Sequence, residues 1–415
     1  MFNWDFAKWL FNGFMILRWT DYFRLTEYSQ IEKSAEQAML TYLIGKEYEE
    51  ANNGKPLDWE YIVDNNIYSF LCKLATSDIK ATISKQLKKD HLKELSGFIV
   101  GVYFNKYGKP KYQAKINKQK LEDYLKPPVD DPSASHYVEN QICYIAHKLA
   151  TFFEFRNIKK VNENSPDIDN VNNDISIVKI KGKLKNEPIL ESIVDQLGNS
   201  IDNIAIFVSF FEKLRPQIRW SQTCRLPLTT VLGHSMYVAT LTYFAIKDLD
   251  IQRNAEKYLV DSFYCALFHD LPESLTRDII SPVKTKIKGF EAKLSFYEYN
   301  EVKNKYISRI ESRSWKTELL NLLGNKAPST SFDYATNRDY ILGKLVKSMD
   351  LLAAFMEAKM SVEIGVDSDA LQQGIKYTMN ALLKKQNQLI PKKVSSQKIN
   401  FAEFFASIPQ YKQGV

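Results

Sequence analysis

The sequence predicts an all-α fold made of two helical bundles in tandem. Apolar residues recur at three- and four-residue spacing through most of the chain, strand-like alternation is sparse, and the second half repeats features of the first. At 415 residues the chain is too long for one typical core and suits two domains. Its start, "MFNWDFAKWLFNGFMILRW", is interrupted by Asp5 and Lys8, and no basic leader or small-residue cleavage site follows, which predicts a buried amphipathic helix rather than a signal peptide. The polar stretch "NENSPDIDNVNND", residues 162–174, reads as a loop. "DISIVKIKGKLK" alternates and carries a glycine, so it is the one place where a small hairpin is expected. Beyond it, "SMYVATLTYFAIKDL", "EKYLVDSFYCALFHD", "LGKLVKSMDLLAAFMEAKM" and "DALQQGIKYTMNALLKKQ" all carry helical spacing.

No apolar stretch reaches roughly 18 residues without a charge, which argues against a membrane span. The four cysteines, Cys72, Cys143, Cys224 and Cys265, form no CxxC pair, which argues against a thiolate zinc site or a disulfide framework and points to a reducing, cytoplasmic setting. The net charge of +7 suits an anionic small substrate without requiring a nucleic-acid partner.

The repeat is visible residue by residue. "RWTDYFRLTEYSQIEKSAEQAMLTYLI" from Arg18 lies over "RWSQTCRLPLTTVLGHSMYVATLTYFA" from Arg219, 201 positions on, with Arg24/Arg225, Ser34/Ser235, Ala38/Ala239 and Leu40–Tyr42/Leu241–Tyr243 coinciding. "SFLCKLAT" at Ser69 lies over "SFYCALFH" at Ser262, 193 on, and "AHKLATFFEF" lies over "MDLLAAFMEA", with Ala146 on Met349, 203 on. Three blocks in one order predict two copies of one helical domain, residues 1–200 and 201–415.

What the copies do not share is chemical. Lys33 lies where the second copy has His234, Thr76 and Ser77 where it has His269 and Asp270, and His147 where it has Asp350. The chain has only five histidines, so two of them in a set with two acids stand out. Taken singly, His234 is an ordinary helical histidine and His269-Asp270 a polar helix end. Together, His234, His269, Asp270 and Asp350 make a first shell for one divalent ion: imidazole suits Mn, Fe, Co, Ni or Zn, and carboxylate tolerates the harder ions, Mg included. Such an ion can polarise a phosphoryl group and acidify water.

The order His234, His269-Asp270, Asp350 resembles the H…HD…D signature of the HD-domain metal-dependent phosphohydrolases. More narrowly, Arg219-Trp220, "GHS" at Gly233 and "HDLPESLTRDIISPVK" look like the bacterial HD-domain 5′-deoxynucleotidases, over about residues 206–410, with the first half a decayed copy. The resemblance implies tandem HD-domain-like bundles, the first degenerate, paired as an intramolecular pseudo-dimer in place of the family's homodimer, and metal-dependent release of phosphate from deoxyribonucleoside 5′-monophosphates. It implies that His234, His269, Asp270 and Asp350 hold the metal and that Glu273 positions or deprotonates the attacking water. It further implies that Asp278 accepts from the sugar 3′-hydroxyl, that Arg219 and Trp220 line the phosphate and sugar side, and that Thr276 and Lys284 belong to the same substrate-binding run. Glu273 and Asp278 read equally as solvated acids, and the recurrence of Arg219-Trp220 as Arg18-Trp19 gives that pair a structural reading too. Two departures stand out: Pro272 enters the turn that aims Glu273, and Gly233 replaces the glutamate usual before the first ligand, which predicts a less firmly oriented His234. The rival functions are a deoxynucleoside triphosphohydrolase or other HD-type nucleotide hydrolase, and a non-catalytic nucleotide-sensing scaffold.

Overall fold

A computed structural model describes residues 2–107, 116–126, 131–184, 187–277, 279, 287–325 and 330–409. Among them the secondary structure is helical, with only isolated bridges such as Leu17–Ser29 and Ile218–Thr230 in place of a sheet. The principal helices are α1 (Trp4–Phe11), α2 (Gln30–Ala51), α3 (Trp59–Thr76), α4 (Tyr137–Val161), α5 (Val231–Lys247), α6 (Ala255–Phe268), α7 (Gly343–Glu363) and α8 (Asp369–Lys385).

Their starts are written in the sequence. Asn3, Asp58, Thr230 and Ser368 each accept from a backbone N–H of the first turn they precede, satisfying donors that a helix N-terminus leaves open. Ser29 and Glu32 form a reciprocal capping box at the head of α2, with Glu32 Oε2 accepting from the Ser29 backbone at 2.7 Å. The opening segment is helix α1, and it buries Trp4, Phe6, Trp9, Leu10 and Phe11.

Two expectations need correction. Residues 162–174 are not all loop: Ile168–Ile175 is a short helix, because Ile168, Val171 and Ile175 fall on one face and pack with Tyr28, Phe155 and Ile158. The segment expected as a hairpin is helical as well. Ile177–Lys181 forms a further helical turn, capped by Ser176 Oγ, and Gly182 ends it rather than turning a strand. Alternation over five residues is too short to outweigh a good cap and burial of Ile180.

One apolar core runs from Phe2 to Phe404 through both halves. Helix α2 packs on α5, and α3 on α6. The halves also exchange helices: α1 lies against α5 and α7, while Asn203–Glu212 lies against α2. Tyr237 of α5 anchors α1 by donating to the Ala7 carbonyl at 2.9 Å. The four cysteines are unpaired. No described helix is long and apolar enough to cross a membrane.

Candidate metal centre

Helices α5, α6 and α7 bring together residues far apart in sequence. His234 lies in the first turn of α5, buried. His269 and Asp270 follow the last residue of α6, and Asp350 sits in the second turn of α7. The two imidazoles and the Asp270 carboxylate each offer a ligand atom within 4.8 Å of the others. Asp350 joins them through His234, whose Nε2 lies 3.1 Å from Asp350 Oδ1 and 3.8 Å from Asp270 Oδ2.

The ring nitrogens that face away are already engaged. His269 Nδ1 donates to the Ala266 carbonyl at 2.6 Å, and His234 Nδ1 faces Glu357 Oε1 at 3.0 Å. An N–H at each Nδ1 leaves Nε2 with a lone pair, the tautomer that binds a cation. His269 Nε2 is buried and makes no hydrogen bond, although Asp270 Oδ2 lies 3.2 Å away. A buried orphan acceptor beside a carboxylate is what a ligand nitrogen looks like, and this donor set fits one divalent ion.

The electrostatics of the site favour positive charge, whether a proton or a cation carries it. Burial and the Arg219 guanidinium push the His234 imidazole down, but Glu357 and Asp350 outweigh them and hold it up at about 9, so its Nε2 carries a proton at neutral pH that a bound cation would displace. The carboxyls of Asp270 and Asp350 lie below the usual carboxylate range: burial opposes this, and neighbouring histidines with Arg219 or Lys347 overcome it. Both acids are therefore charged at neutral pH, and the pocket attracts positive charge.

Three residues at the centre were not foreseen. Glu357, buried on α7, orients His234 and accepts from Trp220 Nε1 at 2.8 Å and Arg219 Nε at 3.3 Å. This corrects the expectation of a poorly oriented His234: the carboxylate comes from seven residues after Asp350 rather than from the position of Gly233. Its signal was present, since Glu154 stands under it in the repeat. Tyr334 donates to Asp350 Oδ2 at 2.8 Å and lies edge-on to His269, with ring centroids 4.9 Å apart. Lys347, one helical turn before Asp350, donates to the same oxygen at 2.7 Å. Gly343 makes the Tyr334 placement possible, because a Cβ there would collide with the carbonyls of Tyr334 and Thr336.

Other expected residues fall as follows. Arg219 joins Asp270 to Glu357, with Nη1 3.3 Å from Asp270 Oδ2. The Trp220 ring packs against Gly374 of α8, where a Cβ would come within 2.7 Å of it. Both side chains thus buttress the ligands. Glu273 is buried in the short helix Glu273–Thr276, and with Asp350 and Asp270 it helps burial raise the Tyr334 phenol, which places it at the same centre. Thr276 is turned elsewhere, donating to Glu298 at 2.8 Å. Asp278 and Lys284 lie outside the described residues.

In the first half, Arg18, Trp19 and Glu154 make contacts parallel to those of Arg219, Trp220 and Glu357. Trp19 and Trp220 share a φ of 58°, an unusual left-handed value for tryptophan. Trp19 Nε1 donates to Glu154 at 2.8 Å, and Arg18 joins Glu154 to Asp78, whose oxygen lies 3.3 Å from Nη1. The acid facing Arg18 is thus Asp78, one residue beyond the Ser77 that the sequence alignment sets under Asp270. Where the imidazole of His234 would be, Lys33 extends its amine to 3.3 Å from His147 Nδ1.

Residues 211–386 match the family described as HD domain. No curated protein and no solved structure matches the chain. The match supports an HD-domain family for this part of the chain, and HD domains are in general metal-dependent phosphohydrolases.

Proposed function

We propose that the protein is a metal-dependent phosphohydrolase that releases phosphate from deoxyribonucleoside 5′-monophosphates, with residues 201–415 as the catalytic domain and residues 1–200 as a degenerate copy docked on it. The observation that carries the metal-dependent reading is the convergence of His234, His269 and Asp270 with both Nε2 atoms turned inward. The monophosphate substrate is favoured by the run from His269 to Lys284 and by Arg219-Trp220 beside it.

His234, His269, Asp270 and Asp350 would hold the ion. When bound, a divalent ion supplies polarisation of the phosphoryl group and a lower pKa for water at the site. Glu273 is the base that takes the water proton; its buried place near Asp270 and Tyr334 suits a carboxylate kept outside the ligand set. Arg219 fixes Asp270, and Glu357 fixes both His234 and Arg219. Tyr334 and Lys347 restrain one Asp350 oxygen and leave the other facing His234.

Phosphate release from a panel of deoxy- and ribonucleoside mono-, di- and triphosphates, with Mn or Co added, tests the reading. Deoxynucleoside monophosphates should be turned over, chelator should stop turnover, and Asp270→Ala should lose both bound metal and activity. Full activity in metal-stripped Asp270→Ala protein would end it, and preference for triphosphates would move it to the rival substrate class.

A further inference from the structure

One helix supplies no ligand, yet it holds the metal centre from two sides. In helix Phe290–Lys305 and the residue that caps it, positions 295, 298, 299, 302 and 306 fall on one face by their three- and four-residue spacing. Val302 and Tyr306 are buried there, and the Tyr306 ring stacks on Phe210 with centroids 3.7 Å apart, which fixes that end to the core. The other three are half-buried and make directed contacts. Ser295 Oγ donates to the Phe332 carbonyl at 2.8 Å and accepts from the Phe332 N–H at 3.0 Å. The Tyr299 ring meets that of Phe332 at a centroid distance of 5.4 Å. Glu298 accepts from Thr276 Oγ at 2.8 Å. Phe296 and Tyr297, off this face, are exposed.

We infer that Ser295 and Glu298 are positioning residues, which set the Tyr334 loop and the Glu273 turn at fixed places across the metal centre. Phe332 stands two residues before Tyr334, which donates to Asp350. Thr276 ends the turn that Glu273 begins. Neither segment holds its own shape. Four residues make one helical turn, closed from the Arg277 N–H to the Glu273 carbonyl at 2.7 Å, and a lone turn is unfavourable. Arg277 then leaves it at a φ of 64°, a left-handed value that strains an arginine. Residues 331–342 carry only bridges, bends and turns. Ser295 and Glu298 lie about 4.5 Å apart along a helix axis, so one stiff element spaces both segments. Such spacing matters, because a shift of about 1 Å at a reacting group can cost about 100-fold in rate. The part played by Glu298 rests on Glu273 as the base, as proposed above, whereas that of Ser295 needs only metal at Asp350.

The test titrates Mn into the full chain and, separately, measures turnover of a deoxynucleoside 5′-monophosphate at saturating Mn. Ser295→Ala should weaken Mn affinity about 3- to 10-fold, less than the loss of a ligand's direct support because Ser295 acts through Tyr334. Glu298→Ala should leave Mn affinity and KM within about twofold of wild type and lower kcat about 10-fold or more, the pattern of a group that matters only in the transition state. Glu298→Gln keeps the acceptor and should restore most of the rate. Thr276→Val should copy Glu298→Ala, and the two together should be no worse than either alone. Unchanged Mn affinity in Ser295→Ala overturns the role of Ser295. Losses that add in the double variant, or a KM rise confined to Thr276→Val, overturn the role of Glu298. If Ser295→Ala does not fold, Ser295→Cys, close in size with a far weaker hydrogen bond, carries the same expectation. A wild-type chain that binds Mn and turns over no nucleotide would end the proposed reaction and the role of Glu298 with it, while the Ser295 titration still decides its own part. A wild-type chain that binds no Mn overturns both.

Discussion

At the scale of single residues, Glu357 is the one whose removal should separate orientation from ligation. It is not in the proposed ligand set itself and acts through His234 Nδ1, Arg219 and Trp220. Glu357→Gln keeps the shape and removes the charge, and metal affinity should fall about 10- to 100-fold, the usual effect of losing a ligand's supporting carboxylate. Metal titration of the folded variant checks this, and unchanged affinity would make Glu357 a packing residue only. The cluster was legible because His234, His269, Asp270 and Asp350, the proposed ligands, differ in kind from the residues aligned with them in the first half. Glu357 was hidden for the opposite reason: the residue aligned with it, Glu154, is also a glutamate, so a search for contrast passes over it. Tyr334 leaves no sequence signal, since its place depends on a loop lying against Gly343.

At the scale of elements, the long helices were legible from spacing and caps, whereas Ile168–Ile175 was not, because its apolar face has only three positions amid polar residues. The contact between the loop at 334–336 and the head of α7 tolerates no side chain at Gly343. Gly343→Ala should cost about 1–3 kcal/mol, the range for overpacking against atoms that cannot yield. It should also weaken metal binding, because Tyr334 moves. A denaturant midpoint equal to wild type would show that the loop has room.

The junction of α2 with the segment after Asn203–Glu212 predicts a pH dependence. Arg215 reaches Glu36 at 2.6 Å and lies 3.6 Å from both Glu32 and Glu154, so three buried carboxylates surround it. Burial pushes the Glu36 carboxyl up to about 8, against Arg215 and with help from Glu212 and Glu154. The folded state thus keeps a proton that the unfolded chain releases near pH 4.5. Stability therefore falls as pH rises from about 4.5 to about 8, by at most roughly 1.4 kcal/mol per unit. Melting curves at pH 6 and pH 8 should show a drop in wild type and a smaller one in Glu36→Gln. Equal drops would place the titration elsewhere.

At the scale of the molecule, each half covers apolar surface of the other through α2 against α5, α3 against α6 and the exchanged helices. Residues 201–415 made alone should expose that surface and aggregate or self-associate, and the full chain should bind one metal equivalent rather than two. Light scattering and metal analysis check the two statements. A monomeric, fully active fragment, or two equivalents per chain, would overturn the reading of the first half as a docked, metal-free copy.

The junction also decides which surfaces recognise each other. Counting 201 positions along, Phe14 corresponds to Arg215 and Glu32 to Gly233. In the chain, Arg215 meets Glu32 and the Phe14 ring fills the hollow over Gly233, where a Cβ would come within 2.7 Å of it. Two second halves face to face would set each guanidinium over a glycine in place of Glu32, with only Glu357, aligned with Glu154, left as an acid for it, and two first halves would press each Phe14 ring on a glutamate. Mismatch of either kind disfavours like with like. The seam thus works as an address: each half is written to accept the other better than its own kind, so any pairing of isolated second halves should be looser than the seam of the whole chain.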